Sequence, residues 1–554
     1  MVKPRGSFLN QKVAVSTTVT LLVAFLWLPF SESVAISNPF EAATPVRVGI
    51  RLAFLFLVFS FLYYALEFVE RFLGNSIRHR LWAKSSLVAL AIFSFVLLLT
   101  WPGYFVLDEY HILQLVRLGY IPDGQTIITS LLYTFYLYLV PSGSFFAFFQ
   151  ILIVATVCGY VVSATQSALR INNHLFWTVG LVFLLPSSIL MALYPLRLTV
   201  YACILMAVLF RIILVSRKSV EVENLFREVF WLSFGIALLV SWRSEGLIFV
   251  VLVPVVFLTI WPLASSQRFR VFAPLALMSL LLVGTVYSAN SHYSNPRYPL
   301  TAIINPLSAM LQGELSVSKD SSDLANLATL DRFIDVQLVG LMPSVTEIPS
   351  FWAGAARPAS LTKDPAPYQA FLGIVWGHPI DFLEARWGTF LATNRLPANF
   401  AEADWNGQIT AVKAFTGNDA ETSELARSLI ASFETNNKWA LPLNDGLRNL
   451  VVRLLLMVDE EARPSPFSQL AWNVIAGVVM GVLGGLISVF RRDWLVAGIL
   501  SLLAAAEVLV FLTAPAAFFM YYFPYTLGGM VLFVFKVIES TKFHSGLRRL
   551  QQGA

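Results

Sequence analysis

Apolar residues along this chain come in long blocks, each closed by a short basic or polar break. A helix needs about 20 apolar residues to cross the hydrocarbon of a bilayer. Blocks near that length run at approximately 12–30, 47–70, 85–101, 144–168, 174–192, 196–215, 228–242, 246–263, 271–288, 467–490, 494–513 and 515–537, which predicts twelve transmembrane helices. A further run, Thr126 to Val140, is shorter, and counting it as a span would reverse every loop before it relative to those after. Positive charge decides the matter, because basic residues collect on the cytoplasmic side. With Thr126–Val140 lying along the interface, Arg71/Arg78/Arg80/Lys84, Arg217/Lys218, Arg268/Arg270, Arg491/Arg492 and Lys542/Arg548/Arg549 all fall on one side with Lys3 and Arg5. Both termini are then expected in the cytoplasm.

The same assignment sends three features to the opposite face: the loop carrying Asp108, the turn Trp242-Arg243-Ser244-Glu245-Gly246, and the stretch from about Ser288 to Pro466. That last stretch is far more polar than its flanks, and its length suits a folded extracytoplasmic domain. The expected organisation is a transmembrane module over 1–288 with an external loop at 102–143, an outer domain over 289–466, and C-terminal transmembrane helices with a cytoplasmic tail over 467–554. No internal repeat is visible. The outer region holds many Asn residues yet no Asn-x-Ser/Thr sequon, which favours a bacterial inner membrane with the domain in the periplasm. Lys3, Arg5 and Lys12 before the first apolar run imitate a signal peptide, but Ser31-Glu32-Ser33-Val34-Ala35 is a poor cleavage site, so an uncleaved first helix is expected.

Composition agrees with this class. Hydrophobic residues make up 57% and charged residues 13% of the chain, with a mean hydropathy of +0.70, whereas about a quarter of a soluble globular protein is charged. The net charge of +5 is spread over short clusters between apolar blocks, where topology and anionic lipid account for it, so no nucleic-acid partner is implied. Cys158 and Cys203 both sit inside apolar blocks and offer neither a disulfide framework nor a thiolate metal site.

Candidate chemistry centres on Asp108 and Glu109, adjacent acids that come seven residues after the apolar run Ser85–Trp101 ends in the break Trp101-Pro102-Gly103. Carboxylates at the mouth of a membrane span are costly unless water, a cation or a substrate meets them. From Asp108 the spacing of Ile112, Leu115 and Gly119 predicts a surface helix that turns Asp108 inward; the alternative is that Asp108 caps that helix. Trp101-Pro102-Gly103, the Asp108-Glu109 pair, Trp376-Gly377-His378-Pro379-Ile380-Asp381-Phe382-Leu383 and Tyr521-Tyr522-Phe523-Pro524-Tyr525, in that order, resemble the GT-C superfamily of polytopic glycosyltransferases. Similar acidic pairs stand in the first external loop of protein O-mannosyltransferases and lipid A aminoarabinose transferases. The resemblance implies a GT-C-like α-helical bundle and a polyprenyl-phosphate-linked sugar as donor, with a glycan, lipid or protein as acceptor. The chain departs from many relatives in having Gln125-Thr126 where a His-Pro or Pro-Pro-Leu follows the acids, and in lacking an Arg ahead of Tyr521.

A lipid-linked sugar leaves as a phosphate and needs no general acid, so one carboxylate opposite the leaving group suffices to activate an acceptor hydroxyl. Asp108 is expected to be that base, with inversion at the anomeric carbon. Glu109 would orient the acceptor or join Asp108 in holding a divalent cation (Mg, Mn or Ca). The departing phosphate asks for fixed positive charge, for which Arg197 and Arg243 are the candidates. Against these roles stand snorkelling of Arg197 to headgroups and a local pair of Arg243 with Glu245. His111, Arg297, Arg386 and Tyr522 are expected in support, with His292 in the same compartment; charges on an outer domain are more commonly just solvated. Trp352, Trp376 and Trp387 could stack on sugars, although burying a core is the commoner use. Two other readings remain. An O-antigen polymerase or ligase shares the architecture but leans on loop arginines, and a lipid-linked saccharide transporter would place charge near the midplane of repeated halves.

Overall fold

The computed structural model describes residues 13–22, five positions between 55 and 63, and 77–104, 126–139, 145–171, 174–195, 197–219, 225–264, 268–293, 298–313, 315, 320–341, 355–361, 364–394, 442–459 and 463–552. The elements used below are α1 (Val13–Leu22), α2 (Ile77–Leu99), α3 (Ile127–Leu139), α4 (Phe145–Leu169), α5 (Pro186–Leu193), α6 (Arg197–Ser216), α7 (Leu225–Trp242), α8 (Leu252–Ile260) and α9 (Arg268–Tyr293). They continue with α10 (Thr301–Gln312), α11 (Ser321–Leu330), α12 (Ala366–Gly377), α13 (Pro379–Asn394), α14 (Asp445–Leu456), α15 (Val474–Phe490), α16 (Trp494–Thr513) and α17 (Phe523–Gln552). Among the described residues no strand is present, only two isolated bridges.

Among the described residues seven helices, α2, α4, α6, α7, α9, α16 and α17, are long and apolar enough to cross a membrane, and an eighth span is counted if His174–Leu184 and Pro186–Leu193 are taken together. The chain is thus a multi-pass helical membrane protein. Twelve spans were expected, and of the remaining blocks those that are described are broken or short. Leu185 is extended ahead of Pro186, whose ring disfavours helix in the residue before it, and the two halves of that block bend by 60°. The block after Trp242 begins as a 3-10 segment, Ser244–Val251, before α8. α3 has 13 residues, about 20 Å of helix against a hydrocarbon core of about 30 Å, too short for a straight crossing. Block 47–70 lies almost entirely outside the described residues, and so does most of 12–30 beyond α1.

α6 is the most enclosed of the seven and packs against α4, α7 and α17. Its Ser216 end is tied down by charge. Arg217 reaches Asp493 (2.6 Å) and Glu539 (2.6 Å), while Lys536 reaches Asp493 (2.9 Å) and Glu539, so two cations meet two carboxylates where α6, α16 and α17 come together. Burial opposes the ionisation of Asp493, but Lys536 and Arg217 outweigh it and hold the carboxyl below its ordinary value. A depressed pKa supplies stability that is present above the ordinary aspartate value of about 3.9 and is lost as pH falls through the folded value. Asp493→Asn is therefore expected to flatten the acid limb of a melting-temperature-against-pH curve; an unchanged limb would show that Asp493 plays no part in it.

The opposite end is capped by the polar stretch. α10, α11 and α12 share a second hydrophobic core built on Ile303, Ile304, Leu307, Leu330, Ala370 and Ile374. His378, between α12 and α13, lies 2.9 Å from Asp323 of α11 and 3.5 Å from Asp381. Asn305 of α10 donates to the Pro515 carbonyl, and the Asn394 side chain accepts from the Val474 amide, tying this stretch to the ends of α16 and α15.

Candidate functional site

α5 stops at Tyr194-Pro195, leaving terminal carbonyls that no helix can satisfy. Side chains from other elements satisfy them. Gln150 of α4 donates to Met191 O (3.0 Å), Ala192 O (3.1 Å) and Tyr194 O; Thr199 donates to Met191 O (2.6 Å) and Tyr133 of α3 to Pro195 O (2.6 Å). The segment leading toward the acidic pair is pinned to the same corner. Tyr104 N donates to Leu193 O (3.1 Å), and its ring meets that of Tyr194 edge-on at 5.8 Å. Just before it, Gly103 holds φ 114°, a conformation that disfavours any side chain, and its carbonyl accepts from Arg448 Nη2 of α14 (3.0 Å). Asp108 follows Tyr104 by four residues in the sequence, and Asp108, Glu109, His111 and Arg297 lie outside the described residues.

Beside this corner α6 opens on Arg197, a buried residue whose carbonyl accepts from the Trp242 indole (2.9 Å). That bond brings the end of α7, and with it Arg243, to the start of α6. Arg243 is extended and buried, and it meets Glu245 through two bonds, Nε to Oε2 (3.1 Å) and Nη2 to Oε1 (2.6 Å). Such a fork fixes the guanidinium plane as well as its position. The turn is tight enough to require glycine next: a Cβ on Gly246 would stand 2.0 Å from Leu239 O. Burial opposes ionisation of Glu245, but the Arg243 guanidinium overrides it, with help from Arg197, and keeps the carboxyl well below the usual carboxylate range.

Tyrosines wall the site. The Arg243 guanidinium lies 5.5 Å from the centre of the Tyr521 ring, within cation–π range. Tyr201 is one turn along α6 from Arg197, and its hydroxyl lies 3.5 Å from that of Tyr525. The local pairing of Arg243 with Glu245 is present, and Arg197 is buried close to it rather than reaching away along the surface.

Arg386 is not solvated. It is fully buried on α13 and donates to Phe511 O (2.7 Å) and Ala514 O (2.9 Å) at the end of α16. Burial pushes its guanidinium down to about 10, still protonated at neutral pH. Tyr522 is buried nearby, its ring 5.6 Å from that of Phe390. Trp376 and Trp387 of the polar stretch are exposed. Among the described residues no three His, Cys, Asp or Glu side chains are placed to hold a metal ion, and Asp108 and Glu109 lie outside them.

Gln150, Tyr133, Tyr201 and Arg448 were not expected from the sequence. A polar Gln150 inside an apolar block was a readable signal; the others resemble ordinary aromatic or charged positions. Comparison with family models, curated proteins and solved structures returns no match.

Proposed function

We propose that this protein is an inverting glycosyltransferase of the membrane, moving a sugar from a polyprenyl-phosphate carrier to an extracytoplasmic glycan, lipid or protein acceptor. The observation that carries the reading is the meeting of Arg197, Arg243 and Glu245 beside the corner that anchors Tyr104, at the same end of the bundle as the polar stretch. In this reading that end faces the periplasm of a bacterial inner membrane and both termini are cytoplasmic, with the Arg217 cluster at the cytoplasmic end. Arg197 and Arg243 hold the donor phosphate, and Glu245 keeps the Arg243 fork aimed. Asp108 takes the proton of the acceptor hydroxyl as its oxygen bonds to the anomeric carbon, while the carbon–oxygen bond to phosphate breaks and the phosphate departs with the electron pair. Glu109 orients the acceptor or shares a divalent cation with Asp108. The polymerase or ligase reading calls for loop arginines turned to substrate, whereas Arg386 and Arg448 donate to backbone carbonyls.

The test is transfer by purified protein supplied with radiolabelled polyprenyl-phosphate sugars and a membrane extract as acceptor. Asp108→Asn is expected to lower turnover by about 10²- to 10⁴-fold, the range of a lost general base, with expression and melting temperature unchanged. Wild-type turnover in that variant, or no transfer from any polyprenyl-phosphate sugar by the wild type, would remove the reading.

A further inference from the structure

α16 carries a single ionisable residue along its apolar length, Glu507, and the site above does not use it. A carboxyl in a membrane span is costly when charged, and when neutral it still needs a partner for its proton. None of the described residues forms a hydrogen bond or ion pair with Glu507, and Tyr525 lines the same cavity. Its part-buried side chain lines a cavity of about 250 Å³ between α15, α16 and α17.

The cavity has the form of a slot. Along α15 it runs from Gly477 to Val489, about 18 Å of helix. Its floor is buried, with Leu503, Tyr525 and Gly529, whereas Val482, Leu486, Val489 and Ser501 on its rim are exposed. On helices that cross a bilayer, an exposed apolar rim is an opening toward lipid. Glu507 is the lining residue of α16 nearest the Thr513 end, and the slot below it toward Val489 is apolar apart from Ser501. We propose that this slot binds one acyl chain of a diacyl membrane lipid, the chain lying along α15 and the ester carbonyl accepting a hydrogen bond from Glu507. A narrow slot floored by glycine suits an unbranched chain, and the lipid supplies the acceptor that the bundle does not. Occupancy does not depend on sugar transfer.

Gly485 offers a clean probe, because a Cβ there would meet only Leu500 Cβ at 4.0 Å, so a larger side chain enters the slot rather than the fold. The full chain is reconstituted in phosphatidylcholine vesicles containing a phospholipid with a photoreactive group on one acyl tail, irradiated, and digested. Labelled peptides are expected from α15 and α16. Labelling should fall at least fivefold in Gly485→Leu and in Glu507→Leu, and stay near wild type in Glu507→Gln, which still donates. Each variant is first checked for an unchanged melting temperature. Equal labelling in Gly485→Leu and wild type would mean only annular lipid and overturn the proposal. So would stronger competition by a polyprenyl phosphate than by unlabelled phospholipid, or chain-to-chain crosslinks through Val482→Cys that showed a second copy filling the slot.

Discussion

Glu245→Met alone is expected to lose stability and transfer together, whereas Arg243→Met with Glu245→Met regains the stability and leaves transfer lost. The pair is largely shielded from water, with side-chain exposures of 3% and 12%. Removing one member leaves an uncompensated buried charge, at a cost of about 3–5 kcal/mol, while replacing both by apolar side chains of similar size is often neutral. Stability is read from thermal unfolding in detergent. Transfer behaves differently because a departing phosphate meets the guanidinium, and loss of a preorganised charge at a reacting oxygen lowers turnover by about 10²- to 10³-fold. A double variant that melts normally and still transfers sugar would reduce Arg243 to a structural role. One that fails to recover stability would show that the fork positions more than its two members.

The sequence carried the parts of this fold that depend on length and polarity. Apolar blocks gave the long helices, and the turn Trp242–Gly246 gave Arg243 and Glu245 as neighbours, since both follow from local order. That Arg197 lies beside them was foreshadowed only by its place at the end of another block on the same predicted face. What joins them is the Trp242 indole on the Arg197 carbonyl, and a carbonyl acceptor leaves no trace in residue identity. The same holds for Gln150, Tyr133 and Arg448, all donating to backbone. Arg386 read as a surface charge for that reason: its partners are a helix end, not an acid. Among the described residues, two apolar blocks are not single straight helices, because Pro186 bends one and a 3-10 segment opens the other. Glu507, by contrast, stands in plain view as the single acid of α16.

Arg386→Met should uncouple the polar stretch from the membrane bundle. The last carbonyls of an α-helix have no partner within it, and at the end of α16 Arg386 supplies two donors to Phe511 and Ala514 while placing a cation at the negative end of the helix dipole. Each hydrogen bond from a charged group contributes about 1.5–3 kcal/mol, so losing both costs about 3–6 kcal/mol at one junction. Methionine fills similar space, which confines the effect to the lost donors. Lysine keeps the charge but cannot present a planar fork to two carbonyls, and Arg386→Lys should fall between. Hydrogen exchange by mass spectrometry reads this directly: amides of α13 should exchange at least 100-fold faster in Arg386→Met, with α6 unaffected, because the junction opens without the bundle unfolding. Acceleration shared equally by α6 would mean that Arg386 supports the whole molecule, and none at all that α13 is held by its other ties, the contacts of Phe390 with Phe511 and Tyr522 and the Asn394–Val474 bond.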